Sequence, residues 1–229
     1  VSGCKERATI VLVHGAWADG SSWSSVAGPL LSEGYDVVAA PIPLTSLSDD
    51  AVALARVLER TAGPVALVAH AYAGAVIASV ANARIRCLVF VAALAPDEGE
   101  TIAEMFYRGT PHPQAPHLAP DDHGLIWLPN EAFGTAFSQN VGAERAALLA
   151  VSQRPIALAC IQERALRPAW KLRPSWYLVA EQDRMISPAT QHFMAKRMGA
   201  RIRSEQVDHA PLVSAPERVI EVILEAVAG

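Results

Sequence analysis

The sequence predicts an α/β protein: a mostly parallel sheet of six or more strands, flanked by helices and carrying an inserted helical cap. Three observations lead there. Short apolar runs alternate with helical patterns along most of the 229 residues. One long segment, 94–174, breaks that alternation. One apolar run, Val65–Ala69, turns straight into a helical pattern through a string of small residues.

In chain order, strands are expected at Thr9–Val13, Asp36–Ala40, Val65–Ala69, Cys87–Ala92, Ser175–Ala180 and Arg201–Val207. Most are apolar throughout, the pattern of parallel strands covered on both faces. Helices are expected at Ser24–Ser32, at Ser48–Thr61 before Gly63, and at Tyr72–Asn82. Ser187 and Pro188 read as the N-cap and first turn of a helix that stops at Gly199, and a last helix spans Ala215–Ala228. Residues 1–93 and 175–229 are therefore expected to form the core. The segment 94–174 is expected to cap the carboxyl ends of the strands, where α/β sheets bind ligands. It contains a Pro/His-rich stretch from Pro111 to Pro120 and helical pieces near Glu98–Tyr107, Glu131–Phe137 and Gly142–Ser152. Its aromatic residues either line a pocket or only fasten the cap to the body.

Composition narrows the function classes. An apolar share of 52% against 18% charged residues is that of one compact domain with a large core. Net charge is -4 with no basic block, so neither nucleic acid nor an anionic membrane surface is an expected partner. No run approaches the roughly 18 apolar residues that a membrane span needs. Cys4, Cys87 and Cys160 are odd in number and widely spaced, and Cys87 reads as a buried thiol. Lys5, Glu6 and Arg7 precede the first strand without a signal-peptide pattern, so a cytoplasmic location is expected. Val1 in place of Met is expected of a trimmed chain. There is no GxGxxG, P-loop or HExxH pattern, and neither cofactor nor metal is expected.

The chemistry concentrates at strand ends. The run Leu67-Val68-Ala69-His70-Ala71-Tyr72-Ala73-Gly74 has the form of a nucleophile elbow, in which a strand-to-helix turn exposes its central residue. The small residues Ala69, Ala73 and Gly74 let strand and helix approach, but the central position is Ala71 and carries no hydroxyl. After the first strand comes His14-Gly15-Ala16-Trp17, a loop suited to donating a backbone N–H to an oxyanion. The expected oxyanion donors are the amides of Ala16 and Tyr72. The alternative is an ordinary tight turn at Gly15.

Asp183 follows the fifth strand and is the expected acid, with Glu181 and Asp208 as rivals and an ion pair with Arg184 as the plain alternative. His209 lies in the loop after the last strand and is the expected general base. Expected substrate-facing residues are Gly15, Trp17, His70, Phe106, Trp127, Phe133 and Phe137. Arg108, Arg154 and Lys171 are cationic candidates for a substrate carboxylate, with a structural role as the alternative. His192 reads as a solvated helix residue.

These motifs resemble the α/β-hydrolases related to plant methyl-salicylate-type esterases and hydroxynitrile lyases, and to small bacterial pyrethroid-type esterases. The matching residues are His14-Gly15-Ala16-Trp17, the 69–74 elbow, Ala95–Gly99, Gln153-Arg154-Pro155, Trp170-Lys171, Asp183 and His209–Leu212, spread over nearly the whole chain. The resemblance implies the α/β-hydrolase fold and a cofactor-free ester or lactone hydrolase whose serine would stand at position 71. Its substrate would be a small apolar or aromatic ester or lactone.

Ala71 departs from that pattern and should abolish the acyl-enzyme route. Three explanations follow. The alanine is an engineered replacement of the nucleophile; the chain is a natural non-hydrolytic enzyme, such as an epimerase, cyclase or lyase using His209 and Asp183 as base; or it is a ligand-binding pseudo-hydrolase.

Overall fold

The computed structural model describes residues 7–229, so Val1, Cys4, Lys5 and Glu6 lie outside the described residues. Six parallel strands form one sheet. They are β1 (Thr9–Val13), β2 (Val37–Ala40), β3 (Val65–His70), β4 (Ile85–Val91), and, beyond a long connection, β7 (Ser175–Ala180) and β8 (Arg201–Glu205). The order across the sheet is β2-β1-β3-β4-β7-β8.

The inner strands β1, β3 and β7 are buried at every residue, which is why they read as unbroken apolar runs. β8, an edge strand, is partly exposed along its length, and its Arg-Ile-Arg-Ser-Glu sequence is correspondingly polar. β2 and β8 end earlier or begin later than expected by one or two residues, where edge pairing runs out.

Helices α1 (Ser24–Ser32), α2 (Leu47–Glu59), α3 (Ala73–Ala78), α7 (Pro188–Arg197), α8 (Pro211–Ser214) and α9 (Pro216–Ala228) connect or cover the strands. Ser46 caps α2 by accepting from the Asp49 N–H, and Ser187 caps α7 by accepting from Thr190. α3 is shorter than the expected Tyr72–Asn82. The Ser79 amide and hydroxyl close the last turn on Ala75, and Asn82 instead caps the turn into β4 by accepting from the Arg84 N–H.

Strand order decides where a ligand can enter. β2 and β3 lie on opposite sides of β1, so successive crossovers diverge there and a crevice opens at the carboxyl ends. Val13 is in register with Ala69, which brings the loop after β1 beside the turn after β3.

The segment between β4 and β7 is built from short pieces. They are α4 (Ile102–Phe106), β5 (Leu125–Ile126), a π-helical turn (Phe133–Phe137), α5 (Ala143–Val151), β6 (Ile156–Ala157) and α6 (Leu158–Gln162). β5 and β6 pair antiparallel as a separate two-stranded sheet. The helix expected near Glu98–Tyr107 shrinks to α4 because Gly99 adopts φ +83°, and a Thr101/Glu104 capping box starts the helix only afterwards. The piece expected at Glu131–Phe137 forms as the π-helical turn. No helix among the described residues is long and apolar enough to cross a membrane.

Candidate functional site

Position 71 has the backbone of an elbow. Ala71 sits at φ +51°, a left-handed conformation that costs a non-glycine residue about 1–2 kcal/mol. Flanking hydrogen bonds impose it. The Ala71 carbonyl accepts from Leu94 N–H at 2.9 Å and Gly74 N–H at 3.2 Å, while its own N–H donates to Val91 O at 3.3 Å. The small neighbours are sterically required. A Cβ on Gly74 would lie 2.4 Å from the Leu94 carbonyl oxygen, and one on Gly15 would lie 3.0 Å from both Ala71 Cβ and His70 O. Gly15 therefore packs behind the elbow.

β7 and β8 deliver an acid and an imidazole to the same place. His209 Nδ1–H donates to Asp183 Oδ2 at 2.8 Å, with both residues buried. Asp183 also accepts from the Met185 and Ile186 amides at 2.7 and 2.9 Å and from Gln191 Nε2 at 2.7 Å. These donors replace the water that burial removes and hold the carboxyl group in one orientation. His209 Nε2 has no partner among the described residues, and the ring borders the cavity that Ala71 borders.

The rival acids are occupied elsewhere. Glu181 receives His192 Nε2–H at 2.8 Å, so His192 is paired where a solvated ring was expected. Asp208 accepts from Asn140 N–H at 2.9 Å and from the Ser214 hydroxyl. Arg184 donates to Thr135 O at 2.6 Å instead of pairing with Asp183.

The two amides expected to face an oxyanion, those of Ala16 and Tyr72, have no acceptor among the described residues, and both residues border the cavity. The next amide is taken: Trp17 N–H donates to Arg154 O at 3.0 Å, and its indole N–H donates to Ile126 O at 3.0 Å.

Tyr72 is tied down by a carboxyl group that sequence reasoning missed. Its hydroxyl donates to Asp50 Oδ2 at 2.6 Å, and Asp50 Oδ1 accepts from Leu44 N–H at 2.7 Å. Cys160 Sγ of α6 approaches the same carboxyl at 3.8 Å. Burial raises the Asp50 pKa and pushes the Tyr72 hydroxyl far up. It also pushes the Cys160 thiol up to about 12, as it does the buried Cys87 thiol of β4.

The cavity itself measures about 60 Å³. Of the expected substrate-facing residues, Trp17 and Phe106 border it. Phe137 stands behind it, its ring edge-on to His209 at 5.2 Å and to Trp17 at 6.4 Å, and Phe133 backs Phe137 at 5.3 Å. His70 is likewise behind. Its Nε2–H donates to His209 O at 2.7 Å, and burial, followed by the neighbouring His209, brings its pKa down to about 3.

Trp127 points away: it is 47% exposed and its indole donates to Asp121. The wall contains instead Leu118, Ile126, Ile156, Ile161 and Ile186, which no motif announces. In the structure Leu125-Ile126-Trp127-Leu128 alternates, burying Ile126 and Leu128 while turning Trp127 outward, although all four residues are apolar.

The cationic candidates are spent on structure. Arg108 stacks on Phe193, Arg154 donates to Ile42 O at 3.2 Å, and Lys171 pairs with Asp97. His14 is held between Gly15 O and Ile42 N–H, and burial lowers its pKa. Among the described residues, no group of three or more His, Cys, Asp or Glu side chains is placed to hold a metal ion.

A sequence model described as "Alpha/beta hydrolase family" matches residues 10–222. No curated protein matches the sequence. Among solved structures, polyneuridine aldehyde esterase superposes with a TM-score of 0.83 at 18% identity, covering 96% of this chain and 99% of the other. A pyrethroid hydrolase from Sphingobium faniae JZ-2 gives 0.82 at 21% identity, over 97% and 98%. An extracellular α/β-hydrolase from a Paenibacillus species gives 0.79 at 21% identity, over 96% and 98%. At these identities the superpositions speak for the fold.

Proposed function

The chain belongs to the alpha/beta hydrolase family, and from that premise we propose that its native chemistry is ester or lactone hydrolysis through an acyl-enzyme, silenced here by Ala71. The observation that carries this reading is the buried Asp183–His209 pair at 2.8 Å, with its free Nε2 on the same cavity as an elbow held at φ +51°.

In the serine form the hydroxyl attacks the ester carbonyl while His209 Nε2 takes its proton. Asp183 holds the ring in the tautomer that makes this possible. The developing oxyanion meets the Ala16 and Tyr72 amides, and the alcohol leaves with the proton that His209 returns. Water then cleaves the acyl-enzyme by the same proton path. With Ala71 the first bond cannot form, and the site holds an ester without turning it over.

On this reading the alanine is an engineered replacement. Retention of Asp183, His209 and both free amides supports that, because an abandoned site is under no demand to keep them. Residues 94–174 act as the cap, residues 1–93 and 175–229 as the core, and the substrate is a small apolar or aromatic ester or lactone. The site needs no cofactor, and the protein works in the cytoplasm without a nucleic-acid or membrane partner.

The test is Ala71→Ser assayed with 4-nitrophenyl butyrate. Appearance of turnover supports the reading, and its further loss in Ala71→Ser/His209→Ala assigns the base. A second reading takes Ala71 as native and His209 as the base of a non-hydrolytic enzyme, favoured by the unpartnered Nε2. It expects no ester turnover from Ala71→Ser.

A further inference from the structure

The cavity at Ala71, about 60 Å³, is the narrower of two neighbouring spaces. A second cavity of about 350 Å³ lies next to it, and Phe106, Tyr107 and Leu118 belong to the walls of both. The shared wall comes from α4 and the loop after it.

The outer cavity is shaped by the Pro/His-rich stretch. Pro111 and Pro116 stand in its wall and restrict the backbone there. The loop is seated tightly on the start of α7, since a Cβ on Gly109 would lie 2.6 Å from Ser187 Oγ. Thr110, His117 and Ser187 supply hydrogen-bonding groups among apolar neighbours, and no Asp, Glu, Lys or Arg lines the space. The inner wall is nearly all aliphatic and aromatic, with His209 as its titratable side chain apart from the tethered Tyr72 and the half-exposed Tyr107.

We propose that the outer cavity is a second subsite that receives the larger half of the ester, across the wall formed by Phe106, Tyr107 and Leu118. The proposal rests on the reading of the Ala71 site as an ester site. The substrate class follows from the two walls. It is an ester with a compact reacting end and a bulky aryl or long alkyl arm carrying a hydrogen-bonding group. Tyr107 and Phe106, at the junction, choose the path of that arm.

The chain with Ala71 makes the test direct, because binding is read without turnover. Calorimetry compares methyl acetate with methyl 6-(4-hydroxyphenyl)hexanoate. The longer ester is expected to bind at least tenfold more tightly. Ala115→Trp fills the outer cavity and is expected to bring that ratio close to one; Thr110→Trp gives the same reading if the first variant does not fold.

A ratio near one in the parent, or an unchanged ratio in both folded tryptophan variants, overturns the proposal. So does failure of the parent to bind either ester. If the binding ratio and its loss are observed but Ala71→Ser hydrolyses neither ester, the subsite stands and the hydrolase reading fails.

Discussion

The strand-end loops and the 94–174 segment meet across one cavity, but they are built by different rules. Ala71, Asp183 and His209 each follow a strand of the same parallel sheet, so register and hydrogen bonding set their positions. The facing wall comes from short pieces such as α4, the two-residue strands β5 and β6, and α6. The difference teaches a division of labour. On the proposed reading, chemistry is held by the loops of the regular sheet, and choice of ligand is left to the part with the least regular structure.

That comparison can be broken most sharply by kinetics in the Ala71→Ser background. Adding His209→Ala should lower kcat/KM by at least about ten-thousandfold, because the nucleophile then lacks its base. Adding Ile161→Ala, across the cavity, should change kcat/KM by less than about 100-fold, mostly through KM. Similar losses from both would erase the distinction.

Stability offers the next test. A methyl group at position 74 would meet the Leu94 carbonyl at 2.4 Å and Ala93 Cβ at 2.9 Å. Gly74→Ala should therefore destabilise the protein by about 3 kcal/mol in urea unfolding. A cost below about 0.5 kcal/mol would mean the elbow is not closely packed.

Acid should act through the same rigid region. Folded His70 stays neutral down to about pH 3, whereas the unfolded chain takes up that proton as pH falls through 6.5. The contribution is fully present above 6.5 and is lost progressively toward the folded pKa. At pH 5 the loss should amount to about 2 kcal/mol, read as the difference between unfolding free energies at pH 5 and 7. His70→Asn should shrink that difference; an unchanged difference would assign the acid sensitivity to other groups. At the small end, Trp127→Ala should change stability by less than about 0.5 kcal/mol, since its ring is half exposed. A larger loss would show that the outer face of the segment carries more structure than its contacts suggest.

Legibility in the sequence followed the same division. β1, β3 and β7 are buried on both faces and could be read as apolar runs, and β3 and β7 with them gave the places of Ala71 and Asp183, whereas His209 follows the polar edge strand β8. β5 and β6 are two residues each, too short for any period to register. Phe133, Phe137 and Trp127 were natural choices for a pocket because they are large. Two of them pack behind the site and one faces outward, while isoleucines form the wall. Asp50 escaped notice for another reason. An acid in the first turn of a helix is ordinarily explained by the helix dipole, and nothing local reveals that it accepts the Tyr72 hydroxyl 22 residues later.

The central claim is that Ala71 stands in an otherwise assembled hydrolytic site. Stopped-flow assay of purified Ala71→Ser with 4-nitrophenyl butyrate tests it most directly. The account predicts a burst of 4-nitrophenol followed by steady turnover, at least about ten-thousandfold above the parent chain. A folded Ala71→Ser protein that releases no 4-nitrophenol above the parent, and turns over no other ester or lactone, would contradict it.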